Sequence, residues 1–439
     1  MSAFAAWLDR YFRLSERGTT PRTEGIAGVV TFLTMAYIIA VNPLVLKDAG
    51  LPVEATVAAT CLAAAVPTLL MGLWANWPLA LAPGMGLNAL VTFGVVKGLG
   101  VPWQTAMGMV FVEGVLILLL VAIGAREAVL RAIPLSLRTA IGVGIGLFIT
   151  FIGLQNAGIV VRSEATMVQT GSFTEPGPLV AALGLVLTVA LMVRRVPGAL
   201  LLGILATTAL AGVATAAGWA SLLSPPRALV AAPDFSTFGQ LDVVGALSLK
   251  LAALTFAFLM SDFFDTMGTV VAIGRQANLV SESGEIPNLK RVLLVDSLGA
   301  AWGGVCGASS VTSYVESAAG VGEGGRTGLT ATVTGLLFLA AMFLAPLVAV
   351  LPREATAPAL VVVGFLMLGS IREIDFDRVE EAFPAFVTLV SIPLTFSIAD
   401  GIALGFLTYV VLALARGRAR DVPALLWIVA ALFALSLAL

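Results

Sequence analysis

Leu81-Ala82-Pro83-Gly84-Met85-Gly86-Leu87-Asn88 and, much later, Gly307-Ala308-Ser309-Ser310-Val311-Thr312-Ser313-Tyr314-Val315-Glu316 decide the fold. Both stretches sit inside apolar sequence, yet both are short, rich in Gly, Pro or Ser, and poor as continuous helices. Non-helical backbone survives at membrane depth only where protein or a watery cavity satisfies its polar groups. Small residues also let helices pack closely, so either segment alone is ambiguous. A matched pair, one in each half of the chain, points to a transport site built where inverted repeats meet.

Working outward, the surroundings are those of a membrane protein. Hydrophobic residues fill 59% of 439 positions and charged residues 11%, with a mean hydropathy of +1.03. Soluble domains carry about 25% charge, so charges this sparse leave most of the exterior to lipid. A net charge of −2 gives nucleic acid little to hold. The two cysteines, Cys61 and Cys306, lie in apolar runs and read as packing, not as a disulfide. Histidine is absent, which removes the commonest general base, proton shuttle and metal ligand together. No metal or other cofactor is implied, and an intramembrane enzyme would lack its usual base. Proton handling falls to carboxylates.

Apolar runs of about 17–25 residues predict spans at 25–46, 53–74, 79–97, 102–123, 134–155, 178–194 and 199–217. A second set follows at 247–273, 289–306, 309–321, 327–350, 356–370, 383–397 and 399–415. Lys and Arg near the span ends alternate sides consistently if the N-terminus is cytoplasmic. The expectation is an all-α integral membrane protein with fourteen transmembrane segments, multi-pass in the cell inner membrane. The loop around 218–246 divides them into two sets of seven, and because seven is odd the repeats are inverted. Residues 1–24 lack the pattern of a secretory signal and read as a cytoplasmic amphipathic N-terminus. There, Trp7, Leu8, Tyr11, Phe12 and Leu14 are expected to share a face at the membrane surface. The apolar stretch 422–438 is left as an accessory C-terminal segment.

Span eight contains LAALTFAFLMSDFFDTMGTVVAIG at 251–274. Asp262 and Asp265 are three apart and share one helical face. An ionisable group at bilayer depth costs about 2.5–3.5 kcal/mol on insertion scales and signals function by default; alternatively, the acids hydrogen-bond the interrupted spans. Two like charges on one face repel, which suits the pair to holding a proton. Glu316 ends the tenth segment, and Asn88 occupies the matching place in the third. With Phe263 and Phe264 alongside, these groups suit a flat heterocycle. Acids accept ring N–H groups, the amide reads a carbonyl or ring nitrogen, and an aromatic face stacks. A phenylalanine pair in an apolar helix also serves as plain packing. Asp296 is expected to orient the site or join the proton network. Glu113 has no partner that the sequence names, Asp400 looks like a helix N-cap, and Lys250 can snorkel to the interface.

Several stretches carry a family resemblance: RTEGIAGVVTFLTMAYIIAVNP at 22–43, LAPGMGLNA at 81–89, SDFFDTMGT at 261–269, and DSLGAAWGGVCGASSVTSYVESAAGVGEGGRTGLT at 296–330, with weaker similarity in SIADGIALG at 397–405. The chain resembles the AzgA-like purine permeases, nucleobase–cation symporters that share the uracil-permease fold. The resemblance implies a core domain of spans 1–4 (25–123) and 8–11 (247–350), and a gate domain of spans 5–7 (134–217) and 12–14 (356–415). It also implies short strands in the broken spans 3 and 10, and often a homodimer. By motif position, the substrate-contacting asparagine falls on Asn88, the two acids of span eight on Asp262 and Asp265, and the glutamate of span ten on Glu316.

The functional expectation is import of purine bases (hypoxanthine, guanine or adenine) by proton symport, with elevator-like alternating access of core against gate. Substrate contact is assigned to Asn88, Asp262, Phe263, Asp265 and Glu316, and proton coupling to Asp262, Asp265, Glu316 and Asp296. The alternative is a transporter of an anion or another small solute on the same fold. An anion site would favour a cation or bare helix N-termini over three acids.

Overall fold

The computed structural model describes residues 3–124, 134–225, 228–280 and 286–419, together with 422, 423, 426, 427, 429–431, 433 and 434. The side chains of Lys250, Phe263, Phe264 and Asp265 lie outside that description. The architecture is an all-α multi-span membrane fold carrying two small two-stranded ribbons.

Helix Pro21–Met35 shows how local sequence sets an element and then ties it to a distant one. Thr20 caps it by accepting from Thr23 N, and Pro21 occupies the first turn. The next acid, Glu24, is fully buried and turns away from its own helix end. Its carboxylate accepts from Arg326 N at 2.8 Å, Thr330 N at 3.1 Å and Thr330 Oγ1 at 2.6 Å. It thereby satisfies orphan donors at the start of helix Gly328–Ala341.

Among the described residues, eight helices are long and apolar enough to cross a membrane, fewer than the fourteen crossings expected. The shortfall has local causes. The segments 79–97 and 309–321, each expected as one span, are divided between strand and short helix. Leu289–Cys306 carries Lys290, Arg291 and Asp296, and Val379–Thr395 is only 17 residues long.

The helices pack in two sets. One joins Pro21–Met35, Ile38–Lys47, Val53–Leu70, Trp103–Ala122, Leu249–Gln276, Leu289–Cys306 and Gly328–Ala341; the other joins Leu135–Asn156, Pro176–Val193, Ala199–Ala216, Arg353–Met367, Val379–Thr395 and Ile398–Ala415. Glycines bring backbones together within each set. A Cβ on Gly114 would sit 2.3 Å from Ala301 N, and one on Gly364 would sit 2.3 Å from Gly146 O. Between the sets, Leu135–Asn156 meets both Met85–Ala89 and Leu249–Gln276. Phe93, Phe148 and Phe396 also stack edge-on across the boundary, and Arg353 reaches Asp48 at 3.5 Å.

At the centre of the first set, strand β1 (Leu81–Pro83) and a distant strand, Val311–Ser313, pair antiparallel. Leu81 lies opposite Ser313 and Pro83 opposite Val311. Gly307, left-handed at φ +79°, stops Leu289–Cys306 and sends the chain into that strand. Side chains complete the backbone pairing. Thr68 Oγ1 both donates to Leu81 O (3.0 Å) and accepts from Leu81 N (2.9 Å). Ser317 Oγ accepts from Ala80 N, Tyr314 OH donates to Pro83 O, and Asn42 Nδ2 donates to Ala308 O. A second ribbon, β2 (Val160–Ser163) with β3 (Met167–Thr170), follows Leu135–Asn156 and was not foreseen from the sequence. The central strand Val311–Ser313 is β4.

Two local expectations are corrected. The N-terminal helix spans Ala3–Phe12 and its apolar residues do not share one face. Phe12 and Leu14 pack on Leu329, whereas Trp7 and Tyr11 stay exposed. Leu14 lies past the helix end, beyond Arg13 at φ +58°, so helical spacing no longer governs it. Asp400 does not cap the last long helix; Ser397 does, accepting from Asp400 N at 3.2 Å. The described part of 422–438 is helical and buries Leu426, Val429, Ala430 and Phe433, the last against Phe406. Cys61 and Cys306 are free and buried.

Two predictions follow from this packing. Thr68→Val preserves shape but orphans both polar groups of Leu81, so it should destabilise the detergent-solubilised protein by about 1–3 kcal/mol. An unchanged melting temperature would contradict the satisfaction argument. Asp242, in the loop before Leu249–Gln276, accepts from Gly245 N and Thr105 Oγ1, and these bonds hold its carboxyl below the usual carboxylate range. Its contribution is complete above about pH 4 and is lost as pH falls through the lowered value. Asp242→Asn should therefore show a shallower acid-side fall in melting temperature than the native chain.

Candidate functional site

The two broken crossings share one order, strand then short helix: β1 leads to Met85–Ala89, and β4 leads to Ser317–Gly322. Because the strands are antiparallel, the short helices leave the ribbon at opposite ends. Leu249–Gln276 packs against β4 and against both short helices. Asp262 lies near its middle, fully buried.

Asn88 is fully buried on the first short helix. Its Nδ2 approaches Met85 Sδ at 4.0 Å, and its Oδ1 has no hydrogen-bond donor among the described residues. A buried amide oxygen with no donor costs about 1–3 kcal/mol, so Asn88 Oδ1 is suited to accept an N–H from a ligand. Glu316 is half-buried just before the second short helix. Its carboxylate makes no cap to that helix and accepts from Tyr37 OH at 2.8 Å. The donor to Glu316 is thus a phenol on Pro21–Lys47, a partner 279 residues away in sequence.

Asp296 is buried and well satisfied. Its Oδ2 accepts from Thr266 Oγ1 and its Oδ1 from Ser313 Oγ, both at 2.7 Å. Thr266 also meets Thr312 Oγ1 at 3.0 Å. Asp296 therefore fastens Leu249–Gln276 to β4, one turn beyond Asp262. Glu113, left without a partner by the sequence, accepts from Ser310 Oγ at 3.3 Å and faces the Asp262 carboxyl. The expected roles of Asp265 and Phe263 concern side chains outside the described residues. From the sequence, Tyr37 and Thr266 carry no role, and Ser310 and Ser313 are marked only as part of a broken helix, not as partners of acids. Hydroxyl residues are common in apolar spans, and no spacing links these to acids on other helices.

Among the described residues, no group of three His, Cys, Asp or Glu side chains is arranged to hold a metal. Chemically, the arrangement offers acceptors around a central ribbon, one amide oxygen awaiting a donor, and a phenol-held acid open to partial solvation.

Comparison with known proteins agrees over nearly the whole chain. The model of the permease family (xanthine/uracil permease type) matches residues 22–404. The adenine permease AdeP of Escherichia coli is 43% identical over 430 residues, covering 98% of this chain and 96% of that protein. The guanine/hypoxanthine permease PbuO of Bacillus subtilis is 42% identical over 434 residues, covering 97% and 99%. Among solved structures, the transmembrane domain of the cyanobacterial bicarbonate transporter BicA superposes with a TM-score of 0.64 at 15% identity, covering 86% of this chain and 96% of that one. At that identity the likeness speaks for the fold alone. The chain belongs to the permease family, within the AzgA-like branch whose motifs it carries.

Proposed function

We propose that this chain imports purine nucleobases by proton symport, with elevator-like alternating access across the cell inner membrane. The observation that carries the reading is the pair of broken crossings joined as β1 and β4, with Asn88 beyond one strand, Glu316 beyond the other, and Asp262 on the helix that packs across them. The unpartnered Asn88 oxygen suits an N–H on a heterocycle. Glu316 and Asp262 supply acceptors for further ring N–H groups, and Phe263 supplies a stacking face. Asp265 and Asp296 complete the proton network, Asp296 by holding helix and strand in register. Relatives named as adenine and as guanine/hypoxanthine permeases support the substrate class.

In this reading the chain has fourteen crossings in two inverted seven-span repeats, with the N-terminus cytoplasmic. Antiparallel pairing of matching segments is what inverted halves deliver. The core comprises 25–123 and 247–350, the gate comprises 134–217 and 356–415, and the transporter works as a homodimer. The core carries base and proton together past the gate. Neutralising an acid on loading removes charge that opposes passage through a low-dielectric boundary.

Uptake of radiolabelled hypoxanthine, guanine and adenine into proteoliposomes tests the reading. An acid-outside pH gradient should stimulate uptake of at least one base, and Asp262→Asn and Glu316→Gln should abolish that stimulation. Folded protein that moves no purine under any gradient would reject the substrate class and turn attention to anions on the same fold.

A further inference from the structure

Glu113 belongs to none of the roles above. It lies on Trp103–Ala122, the helix that packs against both Leu249–Gln276 and Leu289–Cys306, and it is fully buried. Oε2 accepts a hydrogen bond from Ser310 Oγ at 3.3 Å, a long contact from a neutral group. Oε1 has no donor among the described residues. An ionised carboxylate normally gathers two or three donors or a cation when it is removed from water.

Among the described residues, the charged groups that act on Glu113 from the packed elements are both acids. Asp262, fully buried, faces it from Leu249–Gln276, and Asp296 acts on it from Leu289–Cys306. Asp296 is already engaged by Thr266 and Ser313. Two facing carboxyls in a dry interior do not both ionise; one keeps its proton and donates it to the other. A proton between the two groups supplies what Oε1 lacks.

We propose that Glu113 and Asp262 form a shared-proton pair, and that this pair holds the proton carried with the substrate. The inference rests on the symport reading and adds to it a residue and a location. With the proton in place, Glu113 donates to one oxygen of Asp262 while the carboxyl also accepts a ring N–H from the base. When the proton leaves to water, two negative charges face each other, Asp262 is pushed from its position, and the base loses that acceptor. Proton and base thus bind together and leave together. Ser310 links the pair to the break before β4, so protonation is felt at the ribbon itself. Glu316, whose neighbour is a neutral phenol, keeps the part of substrate contact.

Glu113→Gln separates this role from a structural one. The amide oxygen still accepts from Ser310 and its NH2 group still donates to Asp262, but no proton is exchanged. In proteoliposomes the variant should retain purine counterflow exchange while losing all stimulation by a pH gradient, with a flat pH profile. Native protein that is itself indifferent to the gradient would overturn symport and the pair together. Native protein driven by the gradient, beside a Glu113→Gln variant that concentrates purine with the same pH profile, would overturn the pair and leave symport standing. If the variant loses exchange as well, infrared difference spectra decide. A carboxylic-acid carbonyl band present in the native protein and missing from the variant supports the pair, and its persistence overturns it.

Discussion

The molecule depends on satisfying peptide groups where two buried apolar segments stop being helical. In hydrocarbon an unpaired N–H or C=O has no water to turn to, so each broken segment is unstable alone. Pairing them as β1 and β4 solves both problems at once, since each strand's exposed edge is the other's partner. The remaining groups are claimed by Thr68, Ser317, Tyr314 and Asn42, which reach in from neighbouring helices. Interior polar side chains that look like isolated curiosities in an apolar sequence thus serve the backbone around one ribbon.

That network fixes where chemistry can occur. The ribbon sets the positions of Asn88 and Glu316, and the helix crossing it brings Asp262 beside Glu113. The acids differ in how they are satisfied. Asp296 has two short hydroxyl donors and stands as a fastener. Glu316 has a phenol and partial exposure, and Glu113 has one long contact beside another carboxyl. A buried acid with full hydrogen bonding holds its neighbours in place, whereas one short of donors is poised to bind a proton or a ligand. The division of labour among four carboxyls therefore follows from donor supply more than from depth.

Much of this was legible in the sequence. Pro83, Gly84 and Gly86, and Gly307, Ser309 and Ser310, announce broken helices by composition alone, and Asp262 announces itself by being charged in an apolar run. For the eight helices long and apolar enough to cross a membrane, the expected positions lie close to those found, because hydrophobic length is a local property. Partners were not legible. Tyr37 to Glu316 and Ser310 to Glu113 join residues separated by 279 and 197 positions, and such pairings depend on how helices pack. The N-terminal face failed for a related reason: helical spacing was extended to Leu14, beyond the helix end at Phe12. Asp400 failed because Ser397, three residues earlier, competes for the same cap and begins the helix sooner.

The most direct measurement is a structure determined with hypoxanthine bound in a lipid nanodisc. The account predicts density for the base beside the β1–β4 ribbon, with a ring or exocyclic group on Asn88 Oδ1 and N–H groups directed at Asp262 or Glu316. Density placed elsewhere, with Asn88 Oδ1 still lacking a donor, would contradict it.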